Sequence, residues 1–428
     1  MNMKRLGVCL LVLAFATVSV FAAGQRESAQ EGSVTIKVAN YALLESGYES
    51  FWKSVKTGFE EKHPDITIEW VTAPYGEIVN QVVNMAGGGN KVDAIFGEID
   101  WVPGLVDAGL AAPIGDILSD AFINDFYPDV LKSFEVEGTP YGIPLYVSPY
   151  VLYYNKDLFK QAGLDPEKPP RTYDEMLGYA EKLSQLKDAN GNKVYAFGQT
   201  TASVPVSGAS LTAMIFNFGG QVLDSQGNLS VDNQGFRDAI EMVQLLDERG
   251  YNPQNAKLKD LRNLFALGQL AMYYDQSWGF NGIKSINPDA VNFTASAEPL
   301  SGGAGSGQSL LQAHCFILVD NGSARSAALS QFVEYVISED TLSGYLRDLT
   351  PAYPAKNSMA AMESVVNNGI LKGASPAAGN VKVQPFIPRI SDLNLELCAL
   401  AQAVSVGNED VATAIKEFKE TATVKISQ

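Results

Sequence analysis

From residue 34 to residue 96 the chain alternates short β-branched runs with helical stretches, and no other feature restricts the fold as much. Val34-Thr35-Ile36-Lys37-Val38-Ala39-Asn40 alternates in polarity and reads as a first strand. Phe51, Val55 and Phe59 follow at helical spacing until His63-Pro64, where proline removes a backbone donor and stops the helix. Ile66-Thr67-Ile68-Glu69-Trp70-Val71 reads as a second strand. A helical stretch from Glu77 to Met85 then ends at Gly87-Gly88-Gly89, and Val92-Asp93-Ala94-Ile95-Phe96 reads as a third strand. Strands separated by helices of this length pack as α/β units around a largely parallel sheet.

The alternation continues beyond residue 145. Tyr150 to Tyr154 is a strand-like aromatic run. Thr172 is placed to cap a helix from Tyr173 to Leu186, with Glu175 as its capping-box partner. Further helices are expected from Gly235 to Arg249 and from Asp410 to Thr421. Leu270 to Tyr274 and Cys315 to Val319 read as buried strands. The polar stretch Asp188 to Asn192 is a turn: its glycine is misplaced for a calcium loop and the closing bidentate Glu is absent. With 428 residues and 46% hydrophobic content, the chain can fill more than one core, so two domains are expected.

The N-terminus adds the compartment. Lys4 and Arg5 precede an apolar run from Leu6 to Ala22, and polar chain follows, the pattern of a secretory signal (1–22) cut after Ala22. Residues 23–33 read as a flexible tether. Cys9 lies near the start of the apolar run, where it cannot serve as a lipobox cysteine, so a free periplasmic protein is expected. Removing Lys4 and Arg5 takes the net charge from -17 to -19, and so acidic a surface argues against a nucleic-acid partner. Cys315 and Cys398 are expected as buried free thiols rather than a disulfide.

The residues of common catalytic chemistries are missing. There is no P-loop, no G-x-S-x-G, no H-E-x-x-H and no dinucleotide glycine spacing. His63 sits at a helix end before proline, and His314 opens an apolar strand, which reads as a structural histidine. Glu98 and Asp100 project side by side from one strand end, whereas a glycosidase needs carboxylates on opposite sides of a sugar. No catalytic residue, metal or cofactor is therefore expected, and the chain should not be an enzyme. What is abundant is aromatic, carboxylate and amide side chains at strand ends: Glu98, Asp100 and Trp101; Tyr146, Ser148 and Tyr150; Asp275, Ser277 and Trp278. Ligands of open α/β sheets sit beyond the carboxyl ends of the strands. Aromatic faces cover the apolar face of a sugar, and carboxylates and amides take its hydroxyls.

Several segments together resemble the family 1 extracellular solute-binding proteins, the maltose-binding-protein-like group, over nearly the whole mature sequence. They include Phe59 to Ile68, Val92 to Phe96, Tyr141-Gly142-Ile143-Pro144, Leu152 to Phe159, Thr172 to Met176, Phe216 to Gly220, Phe265 to Met272 and Pro351 to Ala355. The resemblance implies a type II-like periplasmic-binding-protein fold. Two α/β lobes, each a mainly parallel sheet flanked by helices, would be joined by three hinge crossings near residues 144, 288 and 340. Lobe 1 would then hold 34–143 and 289–339, and lobe 2 would hold 144–288 and 340–428. It implies a monomer that traps a sugar or oligosaccharide by hinge closure and delivers it to an ABC permease. Another solute (a polyol, polyamine or anion) remains the nearest alternative, and a secreted glycosidase a more distant one. The aromatic pattern puts Trp101 on one lobe and Tyr146 and Trp278 on the other. By position, the resemblance adds Tyr41, Glu45, Tyr75, Asp100, Gln312 and Arg389 as candidate ligand contacts.

Overall fold

Strand β1 (Val34–Asn40) forms where the alternation places it and buries Ile36 and Val38 completely. It lies between two parallel neighbours, β2 (Ile66–Val71) and β3 (Ala94–Glu98). The third strand starts two residues later than Val92 because Asp93 turns its side chain to the sheet edge, where its carboxylate accepts from the Lys37 N–H at 2.7 Å. The computed structural model describes residues 33–45, 47–188, 190–378, 380–385 and 387–427. The signal segment, its cleavage point, and the tether up to residue 32 lie outside the described residues. No helix among the described residues is long and apolar enough to cross a membrane.

A short hairpin, β4 (Glu135–Val136) with β5 (Thr139–Pro140), precedes the longest strand, β6 (Gly142–Asn155). This strand is buried at every position and far longer than the 150–154 run expected. It continues the sheet with β7 (Tyr195–Gly198), β8 (Leu270–Gln276), β9 (Thr294–Ala297) and β10 (Ser309–Leu318). The main order is β2-β1-β3-β10-β6-β8-β7, with β9 and the short β11 (Tyr353–Pro354) and β12 (Val381–Lys382) off that path. The outer pairs β1–β2, β1–β3 and β7–β8 are parallel, and the long β6 and β10 run antiparallel between them.

Pro144 would interrupt a regular ladder, since it has no N–H to donate. The pairing accordingly shifts there: Pro144 opposes Cys315 and Tyr146 opposes His314, so Leu145 is the extra residue of a bulge. Below the bulge, Tyr146, Ser148 and Tyr150 share one sheet face with their partners His314, Gln312 and Gln276.

Three apolar cores flank this sheet. The first gathers β1–β3 with Trp52, Phe59, Phe96, Phe316 and Phe332, and the second packs the helices Pro205–Asn217, Gln234–Glu248 and Ile390–Ser405. The third lies on the opposite face of β6 and β8, around Tyr153, Phe265 and Tyr273. Each fully buried side chain of this size stabilises by ~1.5–3 kcal/mol. Core membership changes between Val147 and Tyr150, between Leu310 and Leu311, and at Ile370–Leu371. The two thiols are free and buried, Cys398 donating to the Val204 carbonyl at 3.5 Å.

Candidate functional site

The one-face stripe of β3, β10, β6 and β8 crosses from the first core to the second. It runs Glu98, His314 and Tyr146, then Gln312 and Ser148, then Tyr150 and Gln276. Polar side chains line up here because the period of two puts every second residue of each strand on the same side. Around the stripe stand two walls. On the first lobe, the end of β1 turns through the 3-10 segment Tyr41–Leu44, and β3 ends in the 3-10 segment Ile99–Trp101. Tyr41 packs edge-on to Tyr75 at 5.1 Å between ring centroids and lies 5.7 Å from Trp101. Gly97 makes this possible: a Cβ there would sit 2.5 Å from the Trp101 ring.

Tyr75 donates its hydroxyl to Glu98 at 2.9 Å, and the other Glu98 oxygen lies 3.4 Å from Nε2 of His314. That nitrogen is also 3.2 Å from the Tyr41 hydroxyl, and Nδ1 of the same ring is bonded to the Tyr146 hydroxyl. Trp278 stacks on His314 at 4.5 Å with 17° between planes, and Tyr146 meets Trp278 edge-on at 5.9 Å. Burial first, then the Glu98 charge, pushes the Tyr41 phenol well above its ordinary range, and burial does the same to Tyr146 and Tyr150. All three stay protonated donors at neutral pH. Burial, reinforced by Glu98, raises the Asp100 carboxyl from 3.8 to about 7, against the pull of a hydrogen bond from Gln312.

The structure therefore gathers Tyr41, Tyr75, Glu98, Asp100, Trp101, Tyr146, Gln312 and Trp278. Ser277 adjoins them: Ser148 donates to its hydroxyl at 2.7 Å, and Ser277 donates to the Pro351 carbonyl at 2.8 Å. Three expected residues are not gathered. Asp275 is fully buried on the other sheet face and receives Arg262 in a bidentate pair at 2.6 and 2.8 Å, with Tyr273 and the Gln276 N–H completing its bonds. It alternates with Gln276, so only one of the two can face the stripe. Glu45 is exposed and ends the 3-10 segment. Arg389 is exposed too, and it pairs with Asp392 at 2.9 Å.

His314, expected as a structural histidine, has both ring nitrogens engaged by protein groups and lies among the gathered side chains, with its own side chain 13% exposed. The i, i+2 series Gln312-His314 and Tyr146-Ser148-Tyr150 was the signal that could have located it. The second lobe supplies a further set. Gln199 and Thr201 beyond β7, Ser207 at the start of the Pro205–Asn217 helix and Asn394 each hold a buried side-chain oxygen without a hydrogen-bond partner. So does Gln276, whose amide nitrogen donates to the Tyr150 hydroxyl at 3.1 Å. No group of three or more potential ligands among the described residues is arranged to hold a metal ion.

The chain is 20% identical over 435 residues to the galactooligosaccharide-binding protein of Bacillus subtilis (strain 168), covering 99% of this chain and 97% of that one. Its fold is similar to that of an ABC transporter solute-binding protein from Thermotoga lettingae bound with α-D-tagatose, with a TM-score of 0.79 at 21% identity. That likeness covers 92% of this chain and 99% of the other. The GacH receptor of Streptomyces glaucescens, solved unliganded and with acarbose, gives the same TM-score of 0.79 at 20% identity, over 92% and 99% of the two chains. The family described as bacterial extracellular solute-binding proteins matches residues 41–341, and this chain belongs to it.

Proposed function

We propose that this chain is the solute-binding component of an ABC importer, closing two lobes over a sugar or oligosaccharide and presenting it to a membrane permease. The observation that carries this reading is the stripe of Glu98, His314, Tyr146, Gln312, Ser148, Tyr150 and Gln276 at the junction of two cores, flanked by Trp101 and Trp278. Amides, phenols and carboxylates suit hydroxyl groups, and the indoles suit a sugar's apolar face. The named relatives support the same class, since they bind galactooligosaccharide, tagatose and acarbose.

An anionic solute fits less well, because Arg262 is consumed by Asp275 and Arg389 pairs with Asp392 at the surface. Binding without turnover follows from Glu98 and Asp100 standing on one wall rather than on two sides of a ring. The hinge crossings fit best at 147–150, at 310–311 and within the helix Gly369–Ala378, after the first core's last member Leu371, so that the second and third lie later in the chain than 288 and 340. The chain works outside the cytoplasm, as a periplasmic monomer released by cleavage after Ala22.

The test is a thermal-shift screen of the mature protein, refolded to strip carried-over ligand, against monosaccharides, alditols, di- and trisaccharides, polyamines and amino acids. A ligand at about 1,000 times its Kd stabilises by about 4 kcal/mol, a shift of several degrees. A response confined to one sugar class is expected. A response only to amino acids or polyamines, or release of cleaved sugar, overturns the reading.

A further inference from the structure

Each ring nitrogen of His314 is already engaged by the protein. Nδ1 is bonded to the Tyr146 hydroxyl, and Nε2 lies 3.2 Å from the Tyr41 hydroxyl and 3.4 Å from Glu98. The ring edge is held as well, by Phe96 at 5.2 Å and 70°. Trp278 stacks on one face of the ring. This stack joins two lobes. His314 belongs to the part of β10 that is packed in the first core from Leu311 onward. Trp278 follows β8, whose Met272 and Tyr274 lie in the second core, yet its indole packs against the first. A tryptophan at a strand end has two torsions of its own to settle, and a planar ring held in place settles them.

We propose that His314 is the positioning residue of the cleft: it seats the Trp278 indole across the lobe boundary, so that the opposite indole face is presented to the sugar. The inference rests on the solute-binding reading above. His314 makes no ligand contact of its own, and its effect on binding passes through Trp278. Glu98 is steadied by the same ring, which leaves its Tyr75-bonded oxygen as the one directed to the first-lobe wall.

Two substitutions separate stacking from hydrogen bonding. His314→Phe keeps a flat ring under Trp278 and loses both nitrogens, whereas His314→Gln keeps polar reach and loses the stack. The Trp278 signal is isolated as the difference in emission between each protein and its Trp278→Phe derivative, recorded without ligand. D-tagatose, mannitol, mannobiose and maltotriose are then titrated singly by calorimetry. The expected result is a wild-type Trp278 band in the Phe variant and a red-shifted one in the Gln variant. Sugar affinity should fall about tenfold in the Gln variant and less in the Phe variant, the range of one lost aromatic contact. Unchanged Trp278 emission in both variants, or an equal loss of affinity in both, overturns the proposal. If none of these three sugars and one alditol binds the wild type, the ligand is another solute and the ligand-free emission alone judges His314. Should His314→Gln not fold, His314→Leu keeps apolar bulk and loses the planar ring, and it must shift the same band for the proposal to stand.

Discussion

Asp100 and Asp275 carry nearly the same local signature, a carboxylate at the end of a strand shortly before a tryptophan, and the structure uses them in opposite ways. Asp275 faces the third core, where Arg262 meets it in a two-pronged pair and Tyr273 and a backbone N–H fill its remaining lone pairs. Asp100 stands at the end of β3, where burial first and then the like charge of Glu98 raise its carboxyl to about 7, against a hydrogen bond from Gln312. One is a finished internal ion pair; the other is an acceptor still short of donors. A carboxylate near a strand end therefore says little about ligand binding until its face and its counter-charge are known.

The sharpest way to break this comparison is to remove the cation from the finished pair. Arg262→Met leaves Asp275 buried and unpaired, and urea unfolding should show a loss of about 3–5 kcal/mol. A loss below about 1 kcal/mol would mean that Asp275 is less committed than its geometry indicates. On the cleft side, Trp278→Ala should cost about 2–4 kcal/mol in sugar affinity by calorimetry, as truncation of an aromatic anchor does. Intact binding in that variant removes Trp278 from the site.

The Asp100 carboxyl makes a prediction with a definite sign. Its folded value of about 7 lies above the ordinary 3.8, so the fold favours its protonated form. That contribution is complete below pH 3.8 and is lost as the pH rises through about 7. Melting temperatures across this window should show Asp100→Asn gaining on the wild type as the pH rises, with the advantage largest above pH 7. A constant difference across the window would mean that Asp100 titrates normally. The smallest effect belongs to Arg389, whose exposed pair with Asp392 should be worth less than ~1 kcal/mol. Arg389→Ala should leave both stability and sugar affinity within error, and a clear loss of binding would return Arg389 to the cleft.

Much of the architecture was legible in the residues. The strands Val34–Asn40 and Ile66–Val71 stand at their expected bounds, and Thr172 caps its helix by accepting from the Glu175 N–H. The long β6 was legible only in its aromatic half, Tyr150 to Tyr154, and it also holds Pro144 and Pro149. The bulge at Leu145 accommodates the first of them. Trp278 was legible as a candidate because a polar segment gives a large aromatic little packing reason to be there, whereas Tyr146 is fully buried in the first core. His314 was not legible, since an apolar run follows it and hides which face it shares.

Local pattern alone determined the α/β alternation, the acidic surface, the absence of familiar catalytic motifs and the family resemblance, because each is written in neighbouring residues or in total charge. Only the tertiary structure decided which strand-end carboxylate meets an arginine, where the chain passes between cores, and which histidine joins the aromatic walls. Those outcomes depend on registers between strands far apart in sequence. His314 faces Glu98 and Tyr146 across two ladders. A shift of one residue in either would have turned it to the opposite face.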